Sequence, residues 1–238
     1  MTDIQPFFGF PKKGIKFLKD LARNNNREWF QAHREDYQTY LLNPAQSFVV
    51  ALGERLKALS SGIIYDTRTS GSGSILRIYR DIRFSKDKTP YHTNLRIFFW
   101  EGTLKKFENP GIYFAMDANS AQIYLGQYTF SKELLTAYRD AVINEKIGSA
   151  LERALQSVRE SGEYEIGGEH YKRVPRGYDP EHVRAPLLLY NGLHVGSPQI
   201  SHQEVSSPDL VEICFDHCVN MAPVHHWLVR LNQETGSS

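Results

Sequence analysis

The chain has 238 residues, of which 41% are hydrophobic and 23% charged, the composition of an ordinary globular protein with one sizeable core. Its formal net charge of +1 excludes a global field drawing it to nucleic acid or membrane. Two cysteines, Cys214 and Cys218, are too few for a disulfide scaffold, and their offset of four places them on one helix face as small buried apolar residues.

In chain order, Ile15, Phe17, Leu18 and Leu21 recur at helical spacing. Asn24 to Asn26 then provide a C-terminal stop and a fresh N-cap. A second helix carries Trp29, Phe30, His33, Tyr37, Tyr40 and Leu41 as an apolar-aromatic stripe. Asn43-Pro44 reads as N-cap plus first-turn proline of a third, with Phe48, Val49, Leu52, Leu56 and Leu59. Gly62, Gly71 and Gly73, among serines and threonines, mark a flexible connection. The period then becomes two. "SILRIYRDIRF" alternates Ile78, Arg80, Ile82 and Phe84 with Arg77, Tyr79, Asp81 and Arg83. "NLRIFFW", "GIYFAMD" and "AQIYLGQYTF" are strand-like, and "DANS" at 117–120 is a hairpin turn. Helices return at Ser131 and over 145–160. "YEIGGEHYKRVPRGYDPEH" is turn-rich, with Asp179-Pro180 as a further N-cap pair. "GLHVGSPQI" holds a short strand, and Ser207-Pro208 opens a last helix to about Leu231, kinked or broken near Pro223.

This pattern predicts an α+β fold, an antiparallel sheet of about four or five strands packed with N-terminal, central and C-terminal helices. It is expected as a single domain over 1–232: a helical part to 60, a β-meander over 74–130, and a helical part with a turn-rich basic segment over 131–232. Residues 233–238 are expected as a frayed tail. No apolar leader follows Met1 and no apolar run is long enough to span a bilayer, so a soluble cytoplasmic protein without membrane partners is expected.

Charge is concentrated in one place. Residues 77–96 hold six cations and two acids, so this stretch is +4 and the remainder −3. Guanidinium groups on a strand face need partners, and their planar fork suits a carboxylate or phosphate. The expected ligand-binding set is Arg77, Tyr79, Arg80, Arg83, Lys88 and Tyr91, with Asp81 orienting the arginines. A second basic knot, Lys172 and Arg173, completes a cleft if it folds against the first. Asp81 and His170 are the acid–base candidates. The competing reading is an ion-pair lattice with Glu28, Glu35, Asp36 or Glu54 of covering helices.

The spacing Arg77-x-x-Arg80-Asp81-x-Arg83-Phe84-x-x-Asp87-Lys88-x-x-Tyr91 resembles the signature of a family of uncharacterised proteins, domain of unknown function 2461. "NNNREWFQAHREDY" and "YKRVPRGYDPEHVRAPLLLYNGLHV" are similar to its N-terminal and C-terminal segments. The resemblance implies an intracellular α+β protein and no particular function. Two departures stand out. "YLGQYTF" keeps only Gly126 where the family carries a run of glycines, and "HTNLRIFFW" follows Pro-Tyr where the family tends to small residues. A ligand approaching the backbone at 125–127 is thereby hindered.

Cys214, His217, Cys218, His225 and His226 lack the spacing of a zinc site, so no metal is expected, and no cofactor. No G-x-S-x-G elbow or Walker loop occurs. The expected function is binding of an anionic small molecule, phosphorylated or carboxylated, in a basic cleft, with catalysis left open. The alternatives are a nucleic-acid-associated module using the same cations, and a structural or interaction protein in which the motif is an internal ion-pair network.

Overall fold

A computed structural model describes residues 4–69 and 72–236. The first helices are α1 (Lys12–Arg23) and α2 (Arg27–Ala32). Asn26 caps α2 as expected, its side chain accepting from the Trp29 N–H. The next stretch differs from expectation. Helix α3 (Arg34–Tyr37) runs through a π-helical turn (Gln38–Leu42) directly into α4 (Asn43–Leu56), and Asn43 has helical dihedrals rather than those of a cap. Pro44 has no N–H to offer the Tyr40 carbonyl, and the π turn absorbs the change of register. Gly14 of α1 packs against that carbonyl so closely that a Cβ there would collide with it.

Strand β1 (Ile63–Ile64) lies in the glycine-rich connection, of which Ser70 and Gly71 fall outside the described residues. The expected strand over 74–84 is a correction. Only isolated antiparallel bridges form, at Ile75↔Ile97 and Tyr79↔Tyr91, and 80–90 is a loop. Ile75 and Ile78 are buried, but Phe84 is 96% exposed, so the alternation of sequence continues past the point where one face has a core to meet.

Strands β2 (Leu95–Glu101), β3 (Gly111–Met116) and β4 (Ala121–Gln127) follow where expected. At the 117–120 turn, the Asp117 carboxylate accepts from the N–H groups of Asn119 and Ser120. Ser131 caps α5 (Lys132–Ile143) and Asn144 caps α6 (Glu145–Glu160). Strand β5 (Glu165–Glu169) occupies a segment that reads as turn from its glycines. It pairs antiparallel with β6 (Tyr190–Gly196), with a register break between Gly167 and Glu169. Asp179-Pro180 opens no α-helix. The Asp179 carboxylate accepts from the Glu181 N–H, and only a 3-10 stretch at Ala185–Leu189 follows. Helix α7 (His202–Val205) is opened by a Ser201/Glu204 capping box. Helix α8 (Leu210–Gly236) incorporates Pro223 and extends past the expected end near Leu231, with the Thr235 hydroxyl donating to the Leu231 carbonyl. Ser237 and Ser238 lie outside the described residues.

The fold is α+β, with one antiparallel sheet of six strands in the order β1-β2-β3-β4-β6-β5 and flanking helices, one or two strands more than expected. The chain forms two compact units. The first is 1–99, 113–123 and 199–216; the second is 100–112, 124–198 and 217–238. The first centres on Phe10, Phe48 and Phe114, with ring centroids 4.8–6.1 Å apart. The second centres on Tyr138 and Trp227 in edge contact, with the Tyr138 hydroxyl donating to the Leu187 carbonyl and the Trp227 indole to that of Ile147. Cys214 and Cys218 are buried and unbridged, as their spacing suggests. No described helix is long and apolar enough to cross a membrane.

Candidate functional site: an aromatic and basic groove

The motif of residues 77–91 sits in the first unit, and half of it braces its own loop. Arg80 donates to the Asp87 carboxylate at 2.5 Å, to the Thr89 carbonyl at 3.1 Å, and to the Thr89 hydroxyl. Asp87 in turn accepts from the Thr89 N–H at 2.9 Å. The Arg83 guanidinium grips Asp81 through two nitrogens, at 2.9 and 2.7 Å, and Lys88 donates to the Ile82 carbonyl at 2.9 Å. These hydrogen bonds hold both acids low. Asp81 falls to about 2, chiefly through Arg83, and Asp87 to about 2, chiefly through the Thr89 N–H and Arg80. The acids serving Arg80 and Arg83 thus come from the loop itself rather than from covering helices. Asp81 is a tightly held partner, an arrangement suited to orientation rather than proton transfer.

Tyr91 is 2% exposed and cannot meet a ligand directly. It stacks on Phe30 at 4.2 Å and supports the 56%-exposed Tyr79, whose ring centroid lies 5.3 Å away. Asn25 fixes this tyrosine. Its amide donates to the Tyr91 carbonyl at 2.9 Å and accepts from the Tyr91 N–H at 3.1 Å, acting as a one-residue strand partner. From the sequence, Asn25 belongs only to the Asn24–Asn26 stretch that stops one helix and caps the next. A side-chain amide that pairs with backbone 66 residues away has no local signature.

Tyr79 and Arg77 open onto a groove of about 960 Å³, lined also by Phe30, Arg34, Glu35 and Tyr37. Tyr37 is pushed up to about 12, mainly by burial, so its hydroxyl stays protonated. Close enough to act on its charge is Arg96, which donates to the Arg77 carbonyl at 2.6 Å and has a buried Nε without a hydrogen-bond partner among the described residues. Burial lowers its affinity for a proton. His92 is driven down to about 4 by burial and by the charges of Arg96 and Arg80. Neither Arg96 nor His92 stood out in the sequence as a site residue. Their signal is spatial, a part-buried imidazole set beside the guanidiniums of Arg96 and Arg80.

Of the ligand-binding set expected from sequence, Arg77 and Tyr79 line this groove, while Arg80, Arg83, Lys88 and Tyr91 shape the loop and wall beside it. Lys172, Arg173 and His170 belong to the second unit, all three exposed, with the His170 N–H donating to the Leu189 carbonyl. In that unit Gly126 pairs with His194 at φ +136°, where a Cβ would collide with the Leu193 carbonyl, so this one retained glycine is required by the sheet itself. His225 is fully buried and bonded through Nε2 to Glu101 at 2.7 Å, and His217 bonds the Tyr164 hydroxyl at 2.9 Å. Among the described residues no three His, Cys, Asp or Glu side chains are grouped to hold a metal ion.

No curated protein matches this chain. A model of the conserved hypothetical protein family DUF2461 matches residues 13–227, the span that carries both the braced loop and the groove, and the chain belongs to that family.

Proposed function

We propose that this protein binds an anionic small molecule, phosphorylated or carboxylated, in the groove beside Tyr79, acting in the cytoplasm. The observation that carries the reading is the presence of Arg77 and Arg34 in the lining of a groove shared with Tyr79, Phe30 and Tyr37. Guanidinium groups take the anion, and the exposed face of Tyr79 accepts a planar group attached to it. Arg80, Asp81, Arg83 and Asp87 act as a brace that keeps Tyr79 in place rather than as the grip itself. Thermal unfolding with inorganic phosphate, citrate and a nucleoside monophosphate tests this. Binding to the folded state raises the melting temperature with ligand concentration. Arg77→Ala and Tyr79→Ala are expected to remove at least half of the shift while leaving the unliganded transition near its original temperature. Equal shifts in wild type and both variants would place the ligand elsewhere.

A second reading draws on Phe84. This ring is almost fully exposed on the braced loop, with the Arg83 guanidinium 5.9 Å from its centroid and Lys86 exposed nearby. An exposed aromatic among cations suits a stacked base of single-stranded nucleic acid. That role predicts oligonucleotide binding that weakens steeply with salt and is lost in Phe84→Ala.

A further inference from the structure

A second groove in the first unit, of about 830 Å³, is lined by Lys12, Lys16 and Lys19 on one side and by His202, Gln203 and Ser206 on the other. Among the described residues it shares no lining residue with the Tyr79 groove. The three lysines follow from α1 itself. Positions 12, 16 and 19 fall on one helix face while Ile15, Leu18 and Leu21 turn another inward. Their ammonium groups are strung over about 10 Å of helix axis at 1.5 Å per residue.

Carboxylates on the neighbouring elements are engaged locally. Asp20 holds Lys16 at 2.5 Å, Asp117 accepts within its hairpin turn, and Glu204 accepts from the Ser201 N–H and hydroxyl. Among the described residues neither Lys12 nor Lys19 makes an ion pair. The opposite wall supplies the second observation. His202 Nε2 and Ser206 Oγ are both buried and, among the described residues, have no hydrogen-bond partner. The wall is held in place by the chain entering α1. The Phe10 N–H donates to the Val205 carbonyl at 2.9 Å, and Gly9, at φ +99°, passes so close to the Ser206 carbonyl that a Cβ would not fit.

We infer that this groove is a binding site for a phosphomonoester. Two unpaired ammonium groups neutralise its charge, and the Ser206 hydroxyl and the His202 imidazole, each short of a partner among the described residues, bond its terminal oxygens after both side chains rotate toward the groove. Ile15 and Ala118 cover the apolar part of the ester. A terminal phosphate can enter between the walls with three free oxygens. A backbone phosphodiester, flanked on both sides, reaches the lysines but not the two recessed groups.

The test is a titration of the full chain with inorganic phosphate, glycerol 3-phosphate and a single-stranded oligothymidylate, followed by the NMR signals of the His202 ring, assigned with His202→Gln. A saturable displacement is expected with phosphate and glycerol 3-phosphate. In Lys12→Gln/Lys19→Gln the midpoint should rise at least 10-fold, and Lys12→Arg/Lys19→Arg should keep it near wild type. Arg77→Ala leaves it unchanged, which separates this site from the Tyr79 groove. An unchanged midpoint in the glutamine variant, a displacement that never saturates, or a response confined to the oligonucleotide overturns the inference.

Discussion

His92 shows how far single residues here depend on their surroundings. Burial and two guanidiniums lower it from 6.5 to about 4, so it is neutral at pH 7. Between those values the unfolded chain binds a proton that the folded chain does not. Stability is therefore full above about pH 6.5 and declines as pH falls toward 4. NMR titration of His92 should give a midpoint near 4, and Arg96→Gln should move it up. An anion held beside Arg77 and Arg96 should move it up as well. Asn25 makes a second case. Asn25→Ala removes both bonds to the Tyr91 backbone and should cost about 1–3 kcal/mol in denaturant unfolding. It should also weaken ligand response at Tyr79, because Tyr91 is the wall on which that ring rests. Gly126→Ala, forced into a positive φ against the Leu193 carbonyl, should cost about 1–3 kcal/mol.

At the scale of elements, the loop over 80–90 is ordered without belonging to a strand. The Arg83–Asp81 pair is largely exposed, at 76% and 59%, and in the second pair Asp87 is exposed while Arg80 is part-buried and also bonded to Thr89, so the pairs fix the shape of the loop more than they stabilise the molecule. Asp87→Ala should leave the melting temperature close to wild type yet make cleavage within 81–90 by trypsin several-fold faster. Both acids have folded values near 2, below the ordinary 3.8. Their contribution is present above about pH 4 and is lost as pH falls toward 2, so acid should release this loop before the buried core. The sequence shows an alternating stretch but not where alternation stops mattering. Phe84 has the pattern of an inward residue and finds no core to enter. Strand β5 is the converse, since glycines that read as turn are accommodated by a register break against β6.

Across the whole molecule, each compact unit is assembled from three separate pieces of chain. Strands β2, β3 and β4 and helix α8 each pass from one unit's residues into the other's, so no single cut divides the chain into two complete units. A fragment of residues 1–99 lacks 113–123, which carries Phe114, and 199–216, which carries Leu210 and Cys214. It is expected to show little helical circular dichroism and no cooperative thermal transition. By itself the sequence determined the α+β class, the helices with a clear apolar stripe, the Asn26 cap, the three central strands, and the place where positive charge gathers. Those features are written in local chemistry: periodicity, N-cap side chains, and runs of arginine and lysine. Only the tertiary structure decided which cations are occupied, because Asp81 and Asp87 meet Arg83 and Arg80 only once the loop is bent. It alone set Asn25 against Tyr91 and Lys12 across from His202, since contacts between residues far apart in the chain follow from packing and leave no trace in spacing.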